Sequence, residues 1–422
     1  ICACLVGSEM CIRDRCYTAF RINPIETIGK ESEEIGMDLS IESRCIHLEH
    51  DHGENRFGAI SFPIYQTATF SHPGLGESTG YDYTRMQNPT REHLEKTVAA
   101  LEKGCDCIAF SSGMAAITTV MELFKPGDHL IADADLYGGT IRLFDHISQK
   151  NGIEITYVNC SRDDVKAYIR ENTKAVFIET PTNPMMNVTD IEALAEITKE
   201  NHLLLIVDNT FLSPYLQNPL TLGADIVVHS GTKYLSGHND TIAGFVIVSD
   251  NELSDRLRFL YKTTGAGLSP FDSWLLLRGI QTLAVRMDRA QENAQKLSEW
   301  LLSRDEVTKV LYPGLKEHPG YEVMKKQARG FGAMLTFDVK DKEIAQRLLK
   351  NVQLIRFAES LGGTETLLTY PITQTHADVP KDVLEKNGIT ERTLRMSVGI
   401  ENVRDLIADL EEAFYGGEEF EF

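Results

Sequence analysis

Short apolar segments alternate with helix-length segments along the middle of this chain, and this alternation constrains the fold more than any other feature. Stretches with helical spacing, such as Asp190–Asn201, separate most of the apolar runs. Such a pattern predicts a mostly parallel β-sheet with helices on both faces, an α/β fold. The predicted strands are Cys107–Phe110, His129–Ile131, Ile155–Val158, Ala175–Ile178, Leu203–Val207, Ile226–Val228 and Phe245–Val248.

The pattern changes near residue 286, directly after an apolar helical stretch near Phe271–Val285. From there on the sequence is typical of helices with a few strands, of which Met334–Phe337 and Arg395–Val398 are the clearest. We therefore expect a large sheet domain followed by a smaller α/β domain. The expected boundaries are 87–285 for the large domain, 286–416 for the smaller one and 417–422 for a C-terminal tail.

The charge and the cysteines exclude several classes of protein. Acidic residues outnumber basic ones by 62 to 42, a formal net charge of −20, so there is no basic surplus to neutralise nucleic-acid phosphates. The longest apolar runs are strand-sized, far below the ~20 residues that span a bilayer. Of eight cysteines, none lies beyond Cys160, unlike a disulfide framework. We expect a reduced, cytoplasmic protein that binds neither nucleic acid nor membranes.

The first 36 residues show neither helical nor strand periodicity. Ile1–Gly7 is too short for the core of a signal peptide and has no basic segment before it. The codons GAG-GAG-AUA-GGN for Glu33–Gly36 would form a purine-rich ribosome-binding sequence directly before Met37. We therefore hypothesise that translation starts at Met37 and that residues 1–36 are a non-native leader, with a disordered tail as the alternative. Any other codons at these positions would exclude the hypothesis.

Polar clusters follow several predicted strands directly, at the edge of a parallel sheet where ligands bind. The pair Gly113-Met114 opens a helix whose free N–H groups suit an anion. The segment Ser230-Gly-Thr-Lys233 places two hydroxyls beside an amine that can form a Schiff base. Asp208 ends a buried strand, where a carboxylate needs a cationic partner. Taken singly, an ordinary capped helix and a solvated loop lysine are the better explanations of the first two clusters, and an aspartate that caps the next turn is the alternative for Asp208.

Together, the three clusters supply what pyridoxal 5′-phosphate requires: a phosphate cradle, a carboxylate for the ring nitrogen and a Schiff-base lysine. At these residues the chain resembles the Cys/Met-metabolism family of pyridoxal-phosphate enzymes, the trans-sulfuration group, from about Ile41 to Phe414. The resemblance is carried by Tyr81-Asp-Tyr-Thr-Arg-Met-Gln-Asn-Pro-Thr90, Ser112-Gly-Met114, Leu136-Tyr-Gly138, Val207-Asp-Asn-Thr210, His229-Ser-Gly-Thr-Lys-Tyr-Leu-Ser-Gly-His-Asn-Asp240 and Leu394-Arg-Met-Ser-Val-Gly399.

The resemblance implies an aspartate-aminotransferase-like fold of type I and a role for each matching residue. Lys233 would be the Schiff-base lysine and proton shuttle, Asp208 would hold the ring nitrogen protonated, and Tyr137 would stack on the ring. Arg395 would bind the α-carboxylate of a small amino-acid substrate, with Asn183 and Ser360 nearby. The phosphate ligands would be Gly113, Met114, Ser230 and Thr232.

The resemblance also implies a homo-oligomer. Tyr83 and Arg85 lie in an N-terminal arm, 37–86, that matches the segment which the family lends to the neighbouring subunit's phosphate. The active unit would then be at least a dimer, and the family's usual assembly is a tetramer of two such dimers.

The expected reaction is that of a cystathionine γ-synthase, the replacement of the acyloxy group of an O-acylhomoserine by cysteine. Glu359 supports it, because the incoming cysteine carries an ammonium that a carboxylate can pair with. The alternatives are cystathionine γ-lyase, cystathionine β-lyase, O-acetylhomoserine sulfhydrylase and methionine γ-lyase. Methionine γ-lyases typically have Cys where this chain has Gly139, which lowers that option. A catalytically silent binding protein is a remote further alternative.

Two other motifs are given little weight. His47, His50 and His52, with Glu49 and Asp51, have the composition of a metal site, but histidine-rich polar loops are more often solvated, and we expect no metal. Gly265-Ala-Gly267 lacks the third glycine and the preceding strand of a dinucleotide fingerprint.

Overall fold

A computed structural model describes residues 39–47, 57–377, 379 and 381–416. The chain divides into two compact units after Leu39, and every helix and strand below belongs to the second unit. The hypothesised leader, His50 and His52 with Glu49 and Asp51, and the C-terminal tail lie outside the described residues.

A seven-stranded sheet forms the centre of the large domain, and all seven predicted strands are confirmed within two residues at each end. Its order is β1-β7-β6-β5-β4-β2-β3, with all neighbours parallel except those of β7, which runs antiparallel to both β1 and β6. The strands are β1 Asp106–Phe110, β2 His129–Asp133, β3 Glu154–Val158, β4 Thr173–Glu179, β5 Leu204–Asp208, β6 Ile226–Ser230 and β7 Gly244–Val248.

A five-stranded, mostly antiparallel sheet forms the smaller domain, in the order β10-β11-β12-β9-β8. Both strands predicted there from the sequence are confirmed, as β9 and β12. The strands are β8 Val307–Leu311, β9 Met334–Val339, β10 Arg356–Phe357, β11 Leu367–Thr369 and β12 Thr393–Ser397. Only the two-residue β10 pairs in parallel, with β11.

Thirteen α-helices connect and cover these strands in the described part of the chain. In order they are α1 Ile41–Ile46, α2 Pro89–Glu102, α3 Gly113–Met121, α4 Gly138–Leu143, α5 Ile191–Glu200, α6 Ser213–Leu216, α7 Asn251–Thr264, α8 Pro270–Ile280, α9 Leu283–Leu302, α10 Tyr321–Gln327, α11 Lys342–Asn351, α12 Lys381–Lys386 and α13 Val403–Tyr415. The single helical stretch expected near Phe271–Val285 is two helices, α8 and α9, and the expected domain boundary after residue 285 falls inside α9.

Helices on both faces explain why the strands are apolar without alternation. Every residue of β2 and of β7 is buried, whereas the edge strand β3 is buried only at Val158. A parallel sheet covered on both sides requires such continuous apolar runs. The polar residues therefore collect at the strand ends, and β4, β5 and β6 end together in Glu179, Asp208 and Ser230.

The described residues also bear on the expectations for membrane spans, disulfides and metal sites. No helix in the described residues is long and apolar enough to cross a membrane. Within the same residues, Cys45, Cys105, Cys107 and Cys160 are free thiols. No group of three or more His, Cys, Asp or Glu side chains among them is placed to hold a metal ion.

Candidate active site

A cavity of about 320 Å³ opens at the carboxyl ends of β4, β5 and β6, between the large sheet and the smaller domain. Eleven of the thirteen residues predicted to form the site line it. They are Gly113, Met114, Tyr137, Asn183, Asp208, Ser230, Thr232, Lys233, Glu359, Ser360 and Arg395. The structure thus brings together residues that lie up to 282 positions apart in the chain.

Lys233 follows β6 directly and points its amine at the smaller domain. Its Nζ donates a hydrogen bond to Ser360 Oγ at 2.9 Å. Burial, assisted by the positive charge of Arg395, lowers the pKa of Lys233 from 10.5 to about 8. The uncharged form of the amine, which a nucleophile or a base requires, is therefore far more accessible near neutral pH than in an exposed lysine.

Asp208 ends β5 at the floor of the cavity. The backbone N–H of Thr210 and its hydroxyl donate to the same carboxylate oxygen, Oδ1, at 3.0 and 2.5 Å. Burial raises the pKa of Asp208, and the Thr210 hydrogen bonds oppose that rise. No Lys, Arg or His side chain of the described residues forms an ion pair with it within 4.0 Å. A buried carboxylate without a cation in direct contact fits a protonated ring nitrogen as its partner.

The start of α3 forms one wall of the cavity and suits an anion. Ser112 caps the helix by accepting from the N–H of Ala115 at 3.0 Å. Gly113 lies so close to Ser230 that a Cβ at position 113 would be 3.1 Å from Ser230 Cβ. Thr210 accepts from the backbone N–H of Ser230 at 2.8 Å and so ties the end of β6 to Asp208. Free helical N–H groups and nearby hydroxyls suit this wall to a phosphate group.

Arg395 lies on β12 and reaches the cavity as a buried guanidinium, 1% exposed. Three of its five N–H groups donate hydrogen bonds. The acceptors are Asn183 Oδ1 at 2.9 Å, the Ser360 carbonyl at 2.9 Å and Thr369 Oγ1 at 3.1 Å. Its Nε–H is buried without a partner. Burial lowers the pKa of Arg395 from 12.5 to about 10. No carboxylate of the described residues pairs with this buried cation, and its two remaining donors suit an incoming carboxylate.

Tyr137 precedes α4 and is held by a buried acid. Its backbone N–H donates to Glu179 Oε2 at 3.0 Å. Burial raises the pKa of Glu179 well above its usual range, and the neighbouring Asp208 adds to the rise. The ring of Tyr137 is 39% exposed at the cavity, so it is open to stacking against a flat ligand.

Glu359 lines both this cavity and a wider groove that continues from it toward the surface. Glu359 is exposed in the single chain. Solvent therefore screens its charge, and an ion pair made there is worth about 1 kcal/mol or less.

Tyr83 and Arg85 are the two predicted site residues that lie outside the cavity. The Arg85 guanidinium lies 5.6 Å from the ring centre of Tyr83 and donates to the Lys262 carbonyl. Tyr83 is 44% exposed. Within one chain these two side chains contribute nothing to the cavity.

Sequence reasoning assigned no role to Thr210, Glu179 or Thr369, which hold Asp208, Tyr137 and Arg395. Thr210 and Glu179 carried a usable signal, because both belong to polar clusters at strand ends. Thr369 carried none, since its partner Arg395 lies on a different strand and only the pairing of β11 with β12 brings them together.

The fold and the cavity define an enzyme that uses pyridoxal 5′-phosphate. The cradle at Gly113, the cation-free carboxylate of Asp208 and the amine of Lys233 with its lowered pKa fit the phosphate, ring nitrogen and aldehyde of that group. The sequence profile of one protein family, described as Cys/Met metabolism PLP-dependent enzyme, matches residues 42–415. The chain belongs to this family, which confirms the resemblance, the fold class and the cofactor.

Known relatives differ in the reaction for which they are named. The cystathionine gamma-synthase/O-acetylhomoserine (thiol)-lyase of Bacillus subtilis is 51% identical over 84% of this chain and 91% of its own. The cystathionine gamma-lyase of the same organism is 48% identical over 86% of this chain and 96% of its own. The structure of cystathionine gamma synthase from Xanthomonas oryzae in complex with cystathionine has a TM-score of 0.87 and 37% identity, covering 90% of this chain and 98% of that chain.

Proposed function

We propose that this protein replaces the γ-acyloxy group of an O-acylhomoserine by the sulfur of cysteine, giving cystathionine and a free carboxylic acid. The observation that carries the proposal is that Glu359 lines the same cavity as Lys233 and Arg395. Arg395 suits the α-carboxylate of the first substrate, which leaves Glu359 for an ammonium elsewhere. The incoming cysteine has that ammonium, and sulfide and methanethiol do not.

In the proposed reaction, each residue of the cavity has its own role. Bound pyridoxal phosphate supplies an electron sink that stabilises negative charge at the substrate's Cα. Lys233 Nζ, in the uncharged form that its lowered pKa makes accessible, accepts the proton from Cα, while Ser360 Oγ holds the amine in place. A second proton leaves Cβ, the acyloxy group departs from Cγ with its electron pair, and the cysteine sulfur bonds to Cγ as the thiol gives up its proton. Protons then return to Cβ and to Cα, the latter from Lys233 Nζ, which completes cystathionine. Tyr137, at the open side of the cavity, assists this proton transfer.

A second candidate is cystathionine γ-lyase, since the same arrangement serves cystathionine as a substrate. The 48% identity to a γ-lyase from Bacillus subtilis favours it. In that case Glu359 holds the distal ammonium of cystathionine, and cysteine leaves from Cγ with the electron pair of the C–S bond. No thiol adds, and hydrolysis of the remaining four-carbon unit gives 2-oxobutanoate and ammonia.

We propose further that the complete site needs two chains, in a cytoplasmic homo-oligomer. Tyr83 and Arg85 lie outside their own cavity and exposed, as is required of side chains that reach the phosphate of a neighbouring subunit. Two such dimers would make the tetramer that is usual in the family.

Product analysis tests the proposal. The purified enzyme is incubated with O-acetylhomoserine or O-succinylhomoserine, each with cysteine or with sulfide, and in parallel with cystathionine alone. We expect cystathionine from one of the esters with cysteine as the fastest reaction. Faster release of cysteine and 2-oxobutanoate from cystathionine would instead identify a γ-lyase, and release of homocysteine and pyruvate a β-lyase. Faster use of sulfide would identify a sulfhydrylase.

A further inference from the structure

Two buried groups behind the cavity have no part in the reaction described above. Glu102 ends α2, and His229 lies in β6 next to Ser230. Glu102 Oε1 and His229 Nε2 are 2.6 Å apart, and their side chains are 0% and 1% exposed. A buried pair of titratable groups is costly to keep unless it does something for its surroundings.

The neighbouring amides determine the charge state of Glu102. Asn209 donates its Nδ2 to Glu102 Oε1 at 2.7 Å, and its Oδ1 is occupied by Gln217 Nε2. Asn218 donates its Nδ2 to Glu102 Oε2 at 3.2 Å, and its Oδ1 is occupied by Arg329 Nη1. Because both amides can only present donors, both oxygens of Glu102 accept hydrogen bonds, and the single proton shared with His229 is the remaining one to place. Imidazole is ordinarily a stronger base than a carboxylate, so this arrangement favours an ionised Glu102.

An ionised carboxylate at full burial needs a cation. Among the described residues, His229 is the one Lys, Arg or His side chain within 4.0 Å of Glu102, and Arg329 reaches it only through Asn218. A protonated imidazole is therefore the group that balances this charge. The ring nitrogen Nδ1 of His229 has no hydrogen-bond partner in the described part of the chain.

His229 also faces the carboxylate that matters for the cofactor. It lines the cavity together with Asp208, and Asp208 lies opposite Val228 in the pairing of β5 with β6, one residue from His229. The Thr210 hydroxyl bridges Ser230 N–H and Asp208 Oδ1, which fixes this spacing. The positive charge of His229 also lowers the pKa of Asp208 against the effect of burial.

We propose that Glu102 and His229 form a buried charge pair that keeps Asp208 ionised and so keeps the proton on the ring nitrogen of the bound cofactor. Both act as positioning residues through Asp208. The inference rests on the proposed role of Asp208 toward the ring nitrogen. The charged and titratable groups near the pair and Asp208 are Cys107 on β1 and Arg329 after α10 on the side of Glu102, and Glu179 on β4 and Lys233 after β6 around the cavity that His229 lines.

The test measures the proton directly. The cofactor-free protein is reconstituted with pyridoxal phosphate that carries ¹⁵N in the ring, and solid-state ¹⁵N NMR follows the ring nitrogen from mildly acidic to alkaline pH. Glu102→Gln removes the negative charge and keeps the shape, so His229 loses its proton and Asp208 takes the proton of the ring nitrogen. The loss of one nearby charge changes the pKa of a neighbouring group by about one unit. We therefore expect the ring nitrogen of Glu102→Gln to lose its proton about one pH unit lower than that of the wild type.

A second variant removes the positive charge of the pair in place of the negative one. His229→Gln keeps a donor for Glu102 and removes the positive charge, so it should move the titration in the same direction. Glu102→Asp, which keeps the charge, should stay nearer the wild type. These variants decide the matter even if Glu102→Gln does not fold.

Glu95 provides the matched control. It is a buried carboxylate two turns earlier on α2, 4% exposed and paired with Arg258 at 2.9 Å, but it does not line the cavity. Glu95→Gln should cost stability and leave the ring-nitrogen titration unchanged. An unchanged titration in either Glu102→Gln or His229→Gln overturns the inference. An unprotonated ring nitrogen in the wild type instead overturns the proposed role of Asp208.

Discussion

Lys233 shows how much the surroundings of a single residue decide its chemistry. A lysine after a strand is ordinarily a solvated cation, but here burial and the charge of Arg395 make the neutral amine accessible near neutral pH. Its hydrogen bond to Ser360 fixes where that amine lies. Ser360 itself has a φ of +85°, a backbone conformation that residues other than glycine rarely adopt. Arg395 donates to the Ser360 carbonyl and helps to hold this conformation.

Replacement of the amine should abolish the reaction and spare the fold. We expect Lys233→Ala to lose all measurable turnover and the covalent link to the cofactor, while far-UV circular dichroism stays unchanged. Borohydride reduction followed by mass spectrometry checks the link. Turnover at a substantial fraction of the wild-type rate would exclude Lys233 as the proton-transferring group.

The lowered pKa of Lys233 also predicts a pH-dependent stability. Between pH 8 and pH 10.5 the unfolded cofactor-free chain binds a proton at this amine that the folded chain does not, so its contribution to the free energy of unfolding rises with pH. Below pH 8 the folded chain buries an ammonium. Lys233→Met should therefore raise the free energy of unfolding there by up to roughly 3 kcal/mol, and by little above pH 10.5.

Urea unfolding of the cofactor-free proteins at both ends of this pH window measures the difference. Lys174→Met, at an exposed position of β4, controls for the loss of an amine as such. Equal stability of Lys233→Met and the wild type at neutral pH would contradict the expectation.

Glu359 separates the possible second substrates. Because its side chain is exposed in the single chain, removal of its charge should cost no more than about fivefold in kcat/KM with cysteine, from an ion pair worth about 1 kcal/mol. Glu359→Gln should use sulfide as well as the wild type does, since sulfide has no ammonium. Steady-state rates with both thiols measure this, and Glu365→Gln in the adjoining groove is the control. Equal losses with cysteine and sulfide would remove the main support for the synthase reaction.

Elements differ in how far their part of the site could be predicted. The ends of β4, β5 and β6 follow from short apolar runs with polar residues directly behind them, a local pattern, and the parallel sheet brings those ends together. The support for Asp208 is different, because Glu102 and His229 lie 127 residues apart. No local pattern links them, and only the packing of α2 against the sheet creates their contact.

The loop before β11 presents Ser360 and depends on one glycine. Gly362 has a φ of +78°, and a Cβ there would lie 2.7 Å from the backbone nitrogen of Tyr234, next to Lys233. Gly362→Ala should therefore shift the loop and cost about 1–3 kcal/mol of stability. The KM for the amino-acid substrate should rise, since Ser360 and Arg395 move apart.

Gly76→Ala is the matched control. Gly76 has a similar φ of +81° but nothing within 4 Å of the added Cβ. Gly76→Ala should lose only the stability that a left-handed backbone conformation costs an alanine, and its KM should not change. Thermal unfolding and steady-state kinetics of the two variants compare them, and an identical KM for Gly362→Ala and the wild type would show that the loop does not set substrate binding.

At the scale of the whole molecule, the position of Tyr83 and Arg85 predicts complementation between subunits. Arg85→Ala and Lys233→Ala should each be inactive at limiting cofactor, but a mixed dimer has one site with both side chains. After subunit exchange at equal amounts, about a quarter of the sites should be complete. Activity of the mixture against each parent measures this. No recovery after exchange verified by native mass spectrometry would mean that each site is built within one chain.

The two sheets contribute different things to the cavity, and this has an evolutionary consequence. Lys233, Asp208 and the phosphate cradle come from the large sheet, whereas Glu359, Ser360 and Arg395 come from the smaller one. With the roles proposed above, mutations near the two-residue strand β10 would change which thiol or thioether is accepted and leave the proposed cofactor-binding residues in place. A lineage can exchange one sulfur-transfer reaction for another through few substitutions, and gene duplicates can diverge in substrate long before they diverge in fold.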